Sequence, residues 1–251
     1  MLTLRGVDYS IGEKRILQDV HLDVGEQETL AILGASGSGK STILKIMLGL
    51  LRPDRGEVKV LGREITRLPY EQLVELRKRL GIVFQEGALF DSLTVGENVA
   101  YYYLEHTSRS HGELEPLVRN MLRTVGLEET MDMMPEELSG GMRRRVAIAR
   151  ALIYEPAVIL YDEPTTGLDP LAAGGILELI NRLKHQHRVT SVVVTHALDD
   201  ALTVADRFAI LRDGSVVWSG TKRQFSANRK RMLALYYRPA EDRAGVHEGA
   251  A

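Results

Sequence analysis

Apolar positions fall into two periods that alternate along most of this chain. Thr29-Leu30-Ala31-Ile32-Leu33, Gly81-Ile82-Val83-Phe84, Ala157-Val158-Ile159-Leu160-Tyr161 and Val189 to Thr195 are short, nearly continuous apolar runs, the pattern of parallel strands buried on both faces. Between them the spacing turns helical. Ser41 to Leu48 carries Ile43, Leu44, Ile46 and Met47 on one side and meets Gly49 as a stop, and Leu171 to His187 turns Ile176, Leu177, Leu179, Ile180 and Leu183 inward. Glu71 to Arg79 has the leucine and charge pattern of a surface helix. From Glu86 to about Arg150 the helical period dominates, with candidate helices Val99 to Leu104, Leu114 to Val125 and Arg143 to Ile153. That predicts an inserted helical subdomain. Near the N-terminus, Leu2 to Tyr9 and Leu17 to Val24 are short β-type runs separated by Gly12-Glu13-Lys14, so a small antiparallel sheet is predicted there, and Glu57 to Val60, beyond the loop helix, is a further short strand. Arg207 to Leu211 and Val216 to Ser219 flank Asp213-Gly214, a hairpin signal. A basic helix with Arg229, Lys230 and Arg231 is predicted after Thr221, stopped by Pro239, with Ala240 to Ala251 predicted to be disordered. The pattern predicts an α/β domain over residues 1–225, its helical subdomain at about 86–150, and a C-terminal extension over 226–251.

Length and composition narrow this reading. At 251 residues the chain can bury one large core, and two independent domains fit less well. The 32 basic and 34 acidic residues leave a net charge of −2, so no overall field points to nucleic acid or an anionic membrane. The absence of cysteine excludes disulfides and thiol chemistry. Met1-Leu2-Thr3-Leu4-Arg5 lacks the apolar core of a signal peptide, and no stretch reaches the 18 or so apolar residues of a membrane span. A soluble, cytoplasmic protein is expected, one that reaches a membrane only through a partner.

The candidate chemistry sits at the ends of the apolar runs. Gly34-Ala35-Ser36-Gly37-Ser38-Gly39-Lys40-Ser41 fits G-x-x-x-x-G-K-[ST] between a strand and a helix, with Thr42 following. Such a loop closes backbone N–H groups around phosphate oxygens, Lys40 reaches the β- and γ-phosphates, and Ser41 offers a hydroxyl to Mg²⁺. Asp162 and Glu163 end one parallel strand, where ligands bind, so Asp162 suits a metal ion and Glu163 an attacking water. His196 and Gln85 end two others; taken alone, a strand-end His is more often structural and a lone Gln more often solvated. Ser139-Gly140-Gly141 opens a helix and reads either as an N-cap or as a second anion site. Tyr101-Tyr102-Tyr103 reads as helix packing before it reads as a partner groove.

Together, the phosphate loop, Gln85, Leu138-Ser139-Gly140-Gly141, the Val158-to-Glu163 strand and His196 resemble the ATPase subunit of ABC transporters, in order and approximate spacing, over residues 2–225. Thr165-Thr166-Gly167-Leu168-Asp169 resembles that family's D-loop. The resemblance implies a P-loop NTPase core that binds ATP and Mg²⁺. Two copies would face head to tail, each ATP lying between Lys40 of one and Ser139-Gly140-Gly141 of the other. It implies Ser41, Gln85 and Asp162 at the metal, Glu163 on the attacking water and His196 at the γ-phosphate. An integral membrane permease is the implied partner, placing the chain on the cytoplasmic face of the membrane. Phe84 to Val95 and Leu138 to Arg145, with Met142 and Arg144 where many importers and exporters carry Gln, are similar to the MlaF/Mkl branch. That branch serves MCE-type lipid transporters, which implies an MCE-domain protein and a small STAS-domain protein as further partners. At the position where the family often stacks adenine on an aromatic, this chain has Ile11, and the expectation is weak discrimination between ATP and GTP.

Overall fold

The computed structural model describes residues 1–237; the expectations for Pro239 and for Ala240 to Ala251 lie outside them. Four strands, β1 (Leu2–Ile11), β2 (Lys14–Val24), β4 (Arg55–Val60) and β5 (Arg63–Glu64), form an antiparallel sheet in the order β2-β1-β4-β5. Strand β4 begins two residues before the apolar pattern does, because Arg55 pairs with Asp8. Strands β3 (Thr29–Leu33), β6 (Leu80–Val83), β7 (Val158–Asp162), β8 (Thr190–Thr195), β9 (Arg207–Arg212) and β10 (Ser215–Thr221) form the second sheet, in the order β10-β9-β3-β8-β7-β6. All neighbours from β9 to β6 are parallel, and β10 returns antiparallel through Asp213-Gly214. Both turn residues have positive φ, +49° and +77°, as a two-residue hairpin turn that follows the strand twist requires.

Strand alternation distributes the apolar runs to opposite faces of this sheet. Val158 and Leu160 join Leu30, Ile32, Val192 and Val194 in a core closed by the antiparallel sheet, α1 (Lys40–Met47) and α2 (Tyr70–Arg77). Ile159, Tyr161 and Val193 face the other way, onto α3 (Val95–His106), α4 (His111–Val125), α5 (Gly140–Leu152) and α6 (Pro170–His187). The helical insertion therefore shares one continuous core with the sheet. Ala31, Leu33, Phe208 and Ile210 meet α7 (Leu198–Val204), α8 (Lys222–Ala227) and α9 (Arg229–Tyr237) in a third cluster. Each large side chain buried in these clusters is worth about 1.5–3 kcal/mol.

Three helices start earlier than their apolar stripes. Helix α3 starts at Val95 rather than Val99, because Thr94 and Glu97 form a reciprocal capping box. Helix α4 starts at His111 rather than Leu114, where Glu113 accepts from the Ser110 N–H and hydroxyl, and α5 starts at Gly140 rather than Arg143, capped by Ser139. The single basic helix expected after Thr221 is two helices, separated at Asn228. Phe225 stacks on Phe208 at 4.8 Å between ring centroids, and Met232 is buried in the same cluster, so the boundary expected after residue 225 falls inside one apolar unit. The three tyrosines are packed: Tyr101 against Phe90, Tyr102 on Tyr154, and the Tyr103 hydroxyl donating to the Ile153 carbonyl.

Candidate functional site

The strand order decides which strand-end residues can meet. Strands β3, β8, β7 and β6 are consecutive and parallel, so the phosphate loop, His196, Asp162-Glu163 and Gln85 all leave the sheet at one edge. Gly39 caps α1 with φ +103°, and a Cβ there would lie 2.7 Å from Leu17 Cδ2, so both conformation and space call for glycine. A Cβ on Gly34 would lie 2.5 Å from Ser38 Oγ and 2.7 Å from the Leu211 carbonyl. Ile43 is the first residue of α1 bonded four back, to the Gly39 carbonyl at 3.0 Å. The N–H groups of Lys40, Ser41 and Thr42 thus lack intrahelical acceptors, the hold that a helix start offers an anion. Ser38 Oγ is buried with no partner, a further donor in the same cradle.

Lys40 is 6 % exposed and spends all three ammonium donors inside the chain: on the Gly34 carbonyl at 2.8 Å, the Ala35 carbonyl at 3.1 Å and Glu163 Oε1 at 3.1 Å. Glu163 Oε2 in turn accepts from the His196 N–H at 3.2 Å and the Thr166 hydroxyl at 3.1 Å, and lies 2.8 Å from His196 Nδ1. Burial alone would push the Glu163 carboxyl up, but Lys40 and the His196 N–H together hold it below the ordinary glutamate value. Asp162 goes the other way. Its desolvation, with the neighbouring Glu163 charge added, outweighs the hydrogen bond that Ser41 Oγ donates to Asp162 Oδ1 at 2.9 Å. The two adjacent carboxylates are thereby shifted in opposite directions, Glu163 paired with Lys40 and Asp162 accepting from a hydroxyl.

The structure gathers Lys40, Ser41, Asp162, Glu163 and His196 into one bonded group. Gln85 is exposed and lines a separate cavity of about 520 Å³ with Gly140, Arg144, Thr166 and Leu168. Ser139 accepts from the Met142 N–H at 3.3 Å as the cap of α5, and no hydrogen bond among the described residues joins Ser139-Gly140-Gly141 to the phosphate loop. A second cavity, of about 640 Å³, runs beside the loop from Ala35 to Ser38 and is walled by Arg15, Ile16, Arg212, Tyr236 and Tyr237. Ile11, the expected base contact, ends β1 with 61 % exposure and does not line it. Sequence reasoning missed Thr166, Tyr236 and Arg144. Thr166 stands in the segment with D-loop spacing and was within reach; Tyr236, whose hydroxyl donates to the His196 carbonyl, and Arg144, buried inside a helix, carry no local signal.

Comparison with known proteins adds independent findings. The family model described as ABC transporter matches residues 17–166. The chain is 40% identical over 224 residues to the intermembrane phospholipid transport system ATP-binding protein MlaF of Haemophilus influenzae, covering 89% of this chain and 85% of that one. It is 39% identical over 221 residues to the probable ribonucleotide transport ATP-binding protein mkl of Mycobacterium leprae, covering 88% of this chain and 64% of that one. A solved dimeric ATP-binding cassette in a post-hydrolysis state, bound to ADP and Pi, aligns with a TM-score of 0.81 at 36% identity, over 89% of this chain and 99% of that chain.

Proposed function

The chain belongs to the ABC transporter family, and from that premise we propose that it is the ATP-hydrolysing subunit of an MCE-type transporter that moves phospholipid between membranes. The observation that carries the enzymatic reading is the bonded group of Lys40, Glu163 and His196 beside a phosphate cradle. In this reading Lys40 and the loop amides from Gly34 to Thr42 hold the phosphates, the rim from Arg15 to Ile16 faces the nucleoside, and Glu163 orients water and takes its proton. Water oxygen bonds to the γ-phosphorus, the bond to the bridging oxygen breaks, and ADP and inorganic phosphate leave. His196 faces the γ-phosphate, and Gln85 approaches from the neighbouring strand end as the two subunits close. Ser139-Gly140-Gly141 completes the site of a second copy.

Ser41 Oγ and Asp162 Oδ1, 2.9 Å apart, are the hard oxygen donors that suit Mg²⁺, and Gln85 adds a third from its strand end. When bound, the ion neutralises charge on the phosphate oxygens. The lipid cargo rests on similarity to MlaF across most of that protein's length, whereas the name of mkl carries a different cargo. Among the described residues no helix is long and apolar enough to cross a membrane. In this reading a permease holds the chain at the cytoplasmic face. Purifying the intact membrane complex and identifying its subunits and lipids tests the whole reading. An MCE-domain subunit, a permease, a STAS-domain protein and bound phospholipid are expected; a solute receptor for an amino acid, metal or nucleotide overturns the lipid assignment.

A further inference from the structure

Of the buried charged residues Lys40, Arg144 and Glu163, only Arg144 has no part in the proposed hydrolysis. It lies in the second turn of α5, is 4 % exposed, and makes no ion pair among the described residues. Its Nη1 donates to the Phe84 carbonyl at 2.8 Å, its Nη2 to the Thr166 carbonyl at 3.2 Å, and its Nε has no partner. Burying a guanidinium with no carboxylate in ion-pair contact is expensive, and desolvation lowers its pKa from the ordinary arginine value, with the more distant Glu86 charge acting the other way. What the side chain holds is therefore informative. Phe84 immediately precedes Gln85, and the hydroxyl of Thr166 donates to Glu163 Oε2. One planar fork ties the loop of Gln85 to the loop that seats Glu163. The same helix carries Ser139 at its N-terminus.

We propose that Arg144 is a positioning residue that locks the Gln85 loop and the Thr166–Glu163 contact to helix α5. Through these bonds helix α5, which starts at Ser139-Gly140-Gly141, is mechanically linked to the chain's own hydrolytic centre. This rests on the ATPase reading and adds a route by which nucleotide held at the Ser139 turn is felt at Glu163. A guanidinium is required because two carbonyls on different loops must be reached from one rigid plane. The cavity of about 520 Å³ beside Arg144 gives water access to both carbonyls if the side chain is shortened, so Arg144→Gln should fold.

The test compares Arg144→Gln, Arg144→Lys, Thr166→Val and the double variant Arg144→Gln/Thr166→Val in the intact transporter complex. Arg144→Gln is expected to lower kcat about tenfold while KM for ATP stays within about twofold and Tm nearly unchanged. Arg144→Lys, reaching one carbonyl, should recover part of the loss, and the Hill coefficient for ATP should fall towards one in Arg144→Gln. The double variant should be no slower than the slower single, because both act through one contact. Wild-type kcat and Hill coefficient in Arg144→Gln overturn the proposal, as does a loss that only tracks Tm or KM, or two losses that multiply. Absence of ATP turnover in the wild-type complex would instead strike the ATPase reading itself.

Discussion

Glu163 adopts φ +49°, in the left-handed region that crowds a Cβ, a conformation that costs about 1–3 kcal/mol and persists where surrounding bonds over-determine it. Here those bonds come from Lys40, His196 and Thr166 on its carboxylate, and from its own N–H, which donates to the Val194 carbonyl at 2.9 Å. The carboxylate is thus fixed at the end of β7 by groups from three different segments. Glu163→Gln keeps the shape and removes the charge and the proton acceptor. The variant is expected to bind ATP, to hydrolyse it at least about a hundredfold slower, and to accumulate closed dimers. Steady-state turnover with size-exclusion chromatography in ATP checks this, and unchanged turnover would remove Glu163 from the chemistry.

Among the elements, the loop between β6 and α3 depends on a residue inside α3. Asn98 is fully buried; its amide donates to the carbonyls of Phe90, Leu93 and Thr94, each at 3.0 Å, and its oxygen accepts the Phe90 N–H at 2.8 Å. Asn98→Ala strands several of those groups and should cost about 2–3 kcal/mol in denaturant unfolding, with faster hydrogen exchange at Phe90. A weaker tie links the two sheets: Arg207, at the start of β9, reaches Asp23 near the end of β2 at 2.8 Å. The hydrogen bond from Arg207 holds Asp23 below its ordinary value of 3.8, so this contribution is present above that pH and is lost as pH falls through the folded value. The pair is largely exposed and screened, so Asp23→Asn should cost no more than about 1 kcal/mol at neutral pH, and the difference from wild type should close in strong acid. Thermal melts from neutral pH into acid would show it. The sheet was legible in the chain because β3, β7 and β8 are buried on both faces and read as unbroken apolar runs. The site was legible where chemistry sits at strand ends, as in Asp162-Glu163 and His196. Helix starts were not, since Thr94, Ser110 and Ser139 act by capping, outside any apolar period. Asn98 and Arg144 are polar residues whose burial only the tertiary packing reveals, and α9 touches the site through a fold-back that no local pattern encodes.

For the whole molecule, the separation of Ser139-Gly140-Gly141 from the phosphate loop has a kinetic meaning. If each catalytic site draws that turn from a second copy, a strictly monomeric chain binds nucleotide but turns it over poorly. Specific ATPase activity should rise with protein concentration and level off as dimers fill; full activity in a strict monomer contradicts it. The Lys40 contacts carry a consequence of another kind. Because all three ammonium donors are already engaged by the chain, an anion reaches Lys40 by exchange rather than by addition. At Lys40 itself a small anion such as sulfate or free phosphate gives up one contact for the one it gains, while the free N–H groups of the helix start stay open to it. A triphosphate spans the loop amides and the helix start together. A small anion and a triphosphate thus differ in how many further contacts each gains for the same exchange at Lys40.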